Sequence, residues 1–172
     1  MEVNKINQKF EILSVEKKGL NDFVEIKEKS MLIKGPKGKK EVSIEADRYE
    51  RSTLDSFAKG MLKGTLTLAS GIYYPFLVMG YGAFSGAINS YLAAKDVGVD
   101  KENRMKVACL GGVLKGLDGV KHGVIDFFNI ALLTTAGAML GGPIGGILGA
   151  TIGGGIYNIV KDKIMQMAEK KK

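Results

Sequence analysis

The chain has 172 residues and a formal net charge of +7, from 25 Lys and Arg against 18 Asp and Glu. Its single cysteine, Cys109, excludes an internal disulfide framework and a cysteine-rich metal site. Its single histidine, His122, argues against a histidine metal site or a Ser-His-Asp triad. We therefore expect no enzymatic activity, no metal and no cofactor. The length fits one domain or two small ones.

The charged residues are distributed unevenly along the chain. Residues 1–63 carry 14 basic and 11 acidic side chains, whereas residues 64–94 and 127–160 form charge-free blocks of 31 and 34 residues. Both blocks exceed the roughly 18 apolar residues that indicate a membrane span. The mean hydropathy of +0.06 thus averages two unlike parts. Membrane insertion is the favoured interpretation, and core helices of a soluble protein are the alternative.

Residues 1–51 are predicted to form a soluble, β-rich module, which makes the fold class α+β. Apolar and polar side chains alternate from Phe10 to Ala46, and residues typical of turns occupy 17–22 and 35–39. This pattern predicts an antiparallel meander of three or four strands. About 45 residues make a thin core, so we expect the sheet to pack against a helix or another subunit.

A linking helix is predicted over residues 52–63, with Ser52 as its N-cap. The first apolar block, residues 64–94, follows this helix. It is either a straight span over 66–88 with a kink at Pro75, or a segment that bends at Pro75 or at Gly80-Tyr81-Gly82 and returns to the same side.

Residues 95–123 are predicted to be a charged linker that contains an amphipathic helix. Apolar side chains recur at helical spacing from Met105 to Val124, while most charges lie elsewhere around the helix. Such a helix lies on a membrane surface or on the protein's own core, and both interpretations stay open.

The second apolar segment, residues 124–160, is expected to form a helical hairpin. Gly141-Gly142-Pro143 provides a turn, with proline at the first position of the second arm. Arms of about 15 to 17 residues are about 25 Å long, which is marginal for a hydrocarbon core of about 30 Å. A hairpin keeps the basic linker and the basic tail, residues 161–172, on one side, in agreement with the positive-inside rule. Single spans are the alternative.

Two rows of small residues run along the second half of this segment. They are Gly141, Gly145, Gly149 and Gly153, and beside them Gly142, Gly146, Ala150 and Gly154. Positions four apart stack on one helix face, so the rows let another helix approach closely. The spacing resembles the glycine-zipper segments of membrane proteins and channel-forming toxins. The resemblance implies that these glycines pack protomers of a homo-oligomer.

Asp126 and His122 form a candidate polar membrane site, because they are four residues apart at the edge of the second block. Asp126 either lines a pore or responds to protons, or it lies at the interface as a helix-start residue. Candidate contacts for anionic lipid headgroups are Lys34, Lys37, Lys39, Lys40, Lys170, Lys171 and Lys172. These lysines lack an aromatic platform, so no nucleic-acid partner is expected.

These features favour an oligomeric membrane-inserting protein that forms a pore or perturbs the bilayer, with lipid and further copies of the chain as partners. One alternative is a membrane-anchored scaffold or adaptor that binds a protein through the β module. Another is a soluble oligomer that buries its apolar helices. The first ten residues lack the pattern of a cleavable signal peptide, so an internal block would direct insertion.

Overall fold

A computed structural model describes residues 23–46 and 52–169 of the chain. The fold is α+β, with a small antiparallel sheet followed by helices. The contacts between residues divide the chain into two compact units. The first unit combines the sheet with Phe84–Leu114, and the second combines Glu45–Ala83 with Lys115–Lys172.

The sheet has three strands in the order β1-β2-β3, namely β1 (Val24–Ile26), β2 (Ser30–Gly35) and β3 (Gly38–Ser43). Both pairings are antiparallel, as the alternating pattern predicts. The predicted turn at residues 35–39 is also confirmed, because Gly35 pairs with Gly38 across Pro36 and Lys37. Gly38 has a φ of 137°, a conformation that favours glycine. The strand and turn predicted within residues 10–22 lie outside the described residues.

The sheet of the first unit packs on helical residues of the same unit. Met31 and Ile33 on β2 and Val42 on β3 are buried, and their core cluster includes the helical residues Ala94 and Val107. The backbone N–H of Lys37 also donates to the carbonyl of Val97, at 3.0 Å. The expectation that so thin a sheet packs against a helix is therefore confirmed within one chain.

Helix α1 (Thr53–Ser70) begins at the predicted cap, where the Ser52 hydroxyl accepts a bond from the Asp55 N–H. It continues through the expected end of the linking helix into the first apolar block. The straight span over residues 66–88 is wrong, because α1 ends at Gly71, whose φ of 54° stops an α-helix.

A short 3₁₀ turn (Gly71–Tyr73) leads from α1 into α2 (Tyr74–Asp96). Pro75 lies in the first turn of α2, where its missing N–H costs no helical hydrogen bond. The block therefore breaks a few residues before Pro75, and Gly80-Tyr81-Gly82 is helical.

Helix α3 (Lys101–Leu148) includes the predicted amphipathic segment and continues into the second apolar block. Its backbone leaves helical geometry at Gly141 and Gly142. A π-helical segment (Gly149–Gly153) then leads into α4 (Gly154–Glu169). The charge-free residues 127–160 thus fold back at the predicted turn, and we call them the hairpin.

Candidate functional site

The hairpin exposes most of its large apolar side chains. They are Phe128, Leu132, Met139, Leu140, Ile144, Ile147, Leu148, Ile152 and Ile156. Leu140, next to the turn, is 92% exposed. Among the described residues, the helical stretch Lys101–Ala168 is long and apolar enough to cross a membrane, by length and composition, and 17% of its most apolar window is buried. This surface is far more apolar than the surface of an ordinary soluble helix.

The two arms of the hairpin meet through backbone rather than through large side chains. A Cβ added at Gly145 would overlap the carbonyl oxygen of Gly137, and one added at Gly149 would overlap that of Leu133. Gly153 and Gly146 face side chains of the first arm, at 3.4 and 3.3 Å from an added Cβ. Gly141 and Gly142 form the turn and have open space around them. The first row of glycines therefore packs arm against arm within one chain.

Helix α1 packs against the last two residues of the second row, Ala150 and Gly154. An added Cβ at Gly60 would overlap the carbonyl oxygen of Gly154, and one at Gly64 would overlap that of Ala150. An added Cβ at Gly154 would in turn lie 2.9 Å from the carbonyl oxygen of Gly60. Beyond Gly141 and Gly142 at the turn, the small residues of both rows thus make intrachain contacts, whereas the glycine-zipper resemblance implied contacts between protomers.

A further glycine contact joins α2 and α3 in the second unit. Added Cβ atoms at Gly119 and Gly123 would lie 2.8 Å from Val78 O and 2.8 Å from Pro75 Cα. No packing role was predicted for these glycines from the sequence. Their four-residue spacing, Gly119 to Gly123, was the signal for a packing face.

Polar side chains within the hairpin bond to their own helices. The hydroxyls of Thr134, Thr135 and Thr151 donate to carbonyls four residues earlier, at 2.8, 2.9 and 2.8 Å. The Asn129 amide donates to the carbonyl of Ile125, at 2.8 Å. Internal bonding of this kind lets a polar residue occupy a helix that is surrounded by hydrocarbon.

Three charged side chains meet at the base of the hairpin, and we call Lys63, Asp126 and Lys161 the ion-pair cluster. Lys63 Nζ on α1 lies 2.7 Å from Asp126 Oδ2, and Lys161 Nζ on α4 lies 2.9 Å from Asp126 Oδ1. The Asp126 side chain is 2% exposed, and the Lys63 and Lys161 side chains are 13% and 14% exposed. One carboxylate on α3 therefore joins three helices through two ammonium groups.

A second set of polar side chains, Ser56, Asn158 and Asp162, forms hydrogen bonds between α1 and α4. The Ser56 hydroxyl donates to Asp162 Oδ2 at 2.6 Å, and both side chains are buried. Asn158 Nδ2 donates to the Ser56 carbonyl at 3.0 Å and to Asp162 Oδ2 at 3.2 Å. Lys63 Nζ lies 3.4 Å from Asn158 Oδ1, which connects this group to the ion-pair cluster. Buried polar groups are thus paired with one another, as a low-dielectric environment requires.

His122 pairs with Asp118, whereas Asp126 pairs with Lys63 and Lys161. His122 Nε2 lies 3.5 Å from Asp118 Oδ2, and the backbone N–H of Ala46 donates to the same oxygen at 2.7 Å. Partial burial raises the pKa of Asp118, but the His122 and Ala46 hydrogen bonds and the charges of His122 and Lys121 outweigh it. The pKa of Asp118 therefore lies below its usual value of 3.8.

The position of Asp126 contradicts its interpretation as a helix-start residue, whereas a pore-lining or proton-responsive role stays a prediction. The residue lies well inside α3, so it is not at a helix start. Sequence reasoning missed its partners, Lys63 and Lys161, which were assigned to the linking helix and the basic tail. Lys63, Asp126 and Lys161 all border a charge-free block, but so does the exposed Lys95, so that position alone does not mark an inward-facing charge. Asp126 and Lys161, which border the hairpin, come together at its base.

The lysines predicted to contact headgroups are partly engaged within the first unit. Lys34 pairs with Glu25 and Lys40 pairs with Asp96, at 2.6 and 2.5 Å. Hydrogen bonds from these lysines lower the pKa of Glu25 and of Asp96 below their usual ranges. Lys37 and Lys39 are exposed beside the β2–β3 turn. Lys170, Lys171 and Lys172 lie outside the described residues.

Comparison with protein-family models, with curated proteins and with solved structures gave no match. Within residues 23–46 and 52–169, no three His, Cys, Asp or Glu side chains converge in a way that could hold a metal ion. A function for the chain therefore has to be inferred from its own residues and their geometry.

Proposed function

We propose that the protein inserts into a lipid bilayer through the hairpin and the apolar faces of the helices packed against it. The observation that carries this proposal is the exposure of large apolar side chains along both arms, with charge confined to the base. In water, such a surface would favour aggregation. In hydrocarbon, the same side chains would contact lipid tails, and the backbone would bond internally.

The ion-pair cluster supports this proposal because it removes charge from the outer surface of the hairpin. A lone charged side chain in the bilayer costs about 3 kcal/mol or more. Asp126 avoids this situation, because its carboxylate faces two ammonium groups between the helices rather than lipid. The cluster and the glycine contacts together would hold α1 and the two arms as one inserted body.

Anchoring is the mode of action that the geometry favours over pore formation. A pore built through the glycine rows needs those rows free for neighbouring protomers, and here Gly145 and Gly64 already touch backbone of the same chain. Among the described residues, the charged side chains between the helices at the base are paired with one another. Self-association would then use the exposed apolar faces, and the three-stranded sheet would be the surface for a protein partner.

Flotation with phospholipid vesicles tests insertion, using a pair of matched lysine variants. Leu132→Lys places a charge on the lipid-facing side of the hairpin, and Leu54→Lys places one at the beginning of α1; the two leucines are 69% and 74% exposed. A lysine near the bilayer centre costs about 3 kcal/mol, which is about a 100-fold loss of membrane partitioning. We expect that loss for Leu132→Lys and nearly unchanged flotation for Leu54→Lys.

Equal flotation of both variants and the unmodified protein would contradict insertion through the hairpin. Unmodified protein that stays in the aqueous fraction, without detergent, would instead support a soluble oligomer. Dye release from the same vesicles separates the two modes of membrane action. Binding without release supports an anchor, and release that depends on protein concentration supports a pore.

A further inference from the structure

We infer that the hairpin crosses both leaflets, so that its Gly141–Gly142 turn lies in the headgroup layer opposite the charged flanks. This inference rests on the proposed function and specifies the surface that lipid covers. Three features support it: the outward-facing charges, the number of residues between them and the turn, and the bare backbone of the turn.

The charges nearest the hairpin in sequence do not mark the limit of its lipid-facing surface. Asp126 and Lys161 turn inward and pair with each other, and Asp126 also pairs with Lys63. The first exposed charged side chains beyond them are Lys121 on α3 and Lys163 on α4. The lipid-facing surface therefore extends past the charge-free block on both arms, as far as these two lysines.

The extended arms match the thickness of a bilayer. Lys121 stands 20 residues before Gly141, and Lys163 stands 20 residues after Pro143. Twenty helical residues rise about 30 Å, which equals the thickness of a typical hydrocarbon core. Arms that contain only the charge-free residues 127–160 are shorter, because they end at Asp126 and Lys161. These two side chains pair between the helices and do not face lipid. Two arms of equal and sufficient length favour complete crossing over a hairpin that ends inside the bilayer.

The chemistry of the turn points to the same placement. Gly141 and Gly142 have non-helical backbone and no side chains to shield or bond their peptide groups. A Cβ added at either glycine would meet no atom within 4 Å, so no other part of the described chain covers the turn. Irregular backbone exposed to hydrocarbon is strongly disfavoured, whereas headgroups and water can bond to it. A turn in the opposite headgroup layer satisfies this requirement.

Cysteine accessibility tests the crossing in the full-length chain. The native thiol is removed with Cys109→Ser, and single thiols are then introduced with Leu140→Cys beside the turn and Met167→Cys beyond Lys163; the two replaced side chains are 92% and 57% exposed. Each variant is added to preformed dioleoyl phosphatidylcholine and phosphatidylglycerol vesicles and recovered by flotation. A membrane-impermeant maleimide is supplied either outside the vesicles or trapped in their lumen.

We expect the thiol of Met167→Cys to react with the external reagent and that of Leu140→Cys to react with the lumenal one. In thicker dierucoyl vesicles, lumenal labelling of Leu140→Cys should fall several-fold, because the arms no longer span the hydrocarbon core. A Leu140→Cys thiol that reacts from neither side would overturn the inference by placing the turn inside the bilayer. One that reacts from outside would overturn it by placing the hairpin on the surface. Failure of both variants to float would contradict the proposed insertion itself.

Discussion

Replacement of Asp126 by asparagine should destabilise the second unit more than the loss of either lysine partner. The carboxylate lies 2.7 and 2.9 Å from two ammonium groups and is 2% exposed. At an effective dielectric constant of about 20, each attraction is worth about 6 kcal/mol before the cost of desolvation. Asparagine has nearly the same shape but no charge, so it leaves Lys63 and Lys161 mostly buried and facing one another.

Removing one partner of a buried ion pair typically costs about 3–5 kcal/mol. We expect Asp126→Asn to lower the free energy of unfolding by that amount. Lys161→Met leaves the Lys63–Asp126 pair intact, so its cost should be nearer to that of one charged hydrogen bond, about 2 kcal/mol. A larger loss of unfolding free energy for Asp126→Asn than for Lys161→Met would indicate that one carboxylate stabilises both lysines.

Unfolding in detergent micelles titrated with sodium dodecyl sulfate, followed by tyrosine fluorescence, gives the free energies. Asp96→Asn is the matched control, because Asp96 pairs with Lys40 in a half-exposed position. That control should leave the unfolding transition of the second unit unchanged. An Asp126→Asn variant that costs no more than Lys161→Met would refute the bridging role of Asp126.

Two further predictions concern the glycine contacts and pH. Gly64→Ala should destabilise the packing of α1 on the hairpin, whereas Gly80→Ala should stabilise α2 by up to about 1 kcal/mol, because no atom lies within 4 Å of a Cβ added at Gly80. Thermal unfolding of the two variants in the same detergent should show shifts of opposite sign. Equal shifts would argue against close backbone contact at Gly64. Because the folded pKa of Asp118 is lowered, its contribution to stability is present above its usual pKa of 3.8 and is lost as the pH falls through the folded value. Asp118→Asn should therefore flatten the acid side of the stability profile, and an unchanged profile would contradict the interaction of Asp118 with His122 and Ala46.

The strands and turns followed from local sequence because local chemistry determines them. Alternation around Met31 and Ile33 predicts the buried face of β2, and Gly35-Pro36-Lys37-Gly38 predicts the turn. The Ser52 cap and the fold-back at Gly141–Gly142 have equally local causes.

The partners of Asp126 did not follow from sequence, because they come from helices that are distant along the chain. Nothing within a few residues of Lys63 distinguishes an inward-facing lysine from an exposed one. The two glycine rows predicted close helix packing, but spacing alone does not identify the helix that approaches. For Ala150 and Gly154 that helix is α1, which approaches through Gly64 and Gly60. Gly60 was assigned to the linking helix and Gly64 to the beginning of the first apolar block.

The π-helical segment Gly149–Gly153 affects which way the rest of α4 faces. A π turn accommodates one residue more than an α turn, so every later side chain is rotated by about 100° relative to an uninterrupted α-helix. Gly145 and Gly149 face the first arm of the hairpin. Beyond the π-helical segment, the side chains of Asn158, Lys161 and Asp162 face α1 and Asp126. Deletion of Thr151 would restore an ordinary helical pitch and carry Lys161 away from the carboxylate. The additional residue in this turn thus sets the direction in which Asn158, Lys161 and Asp162 face.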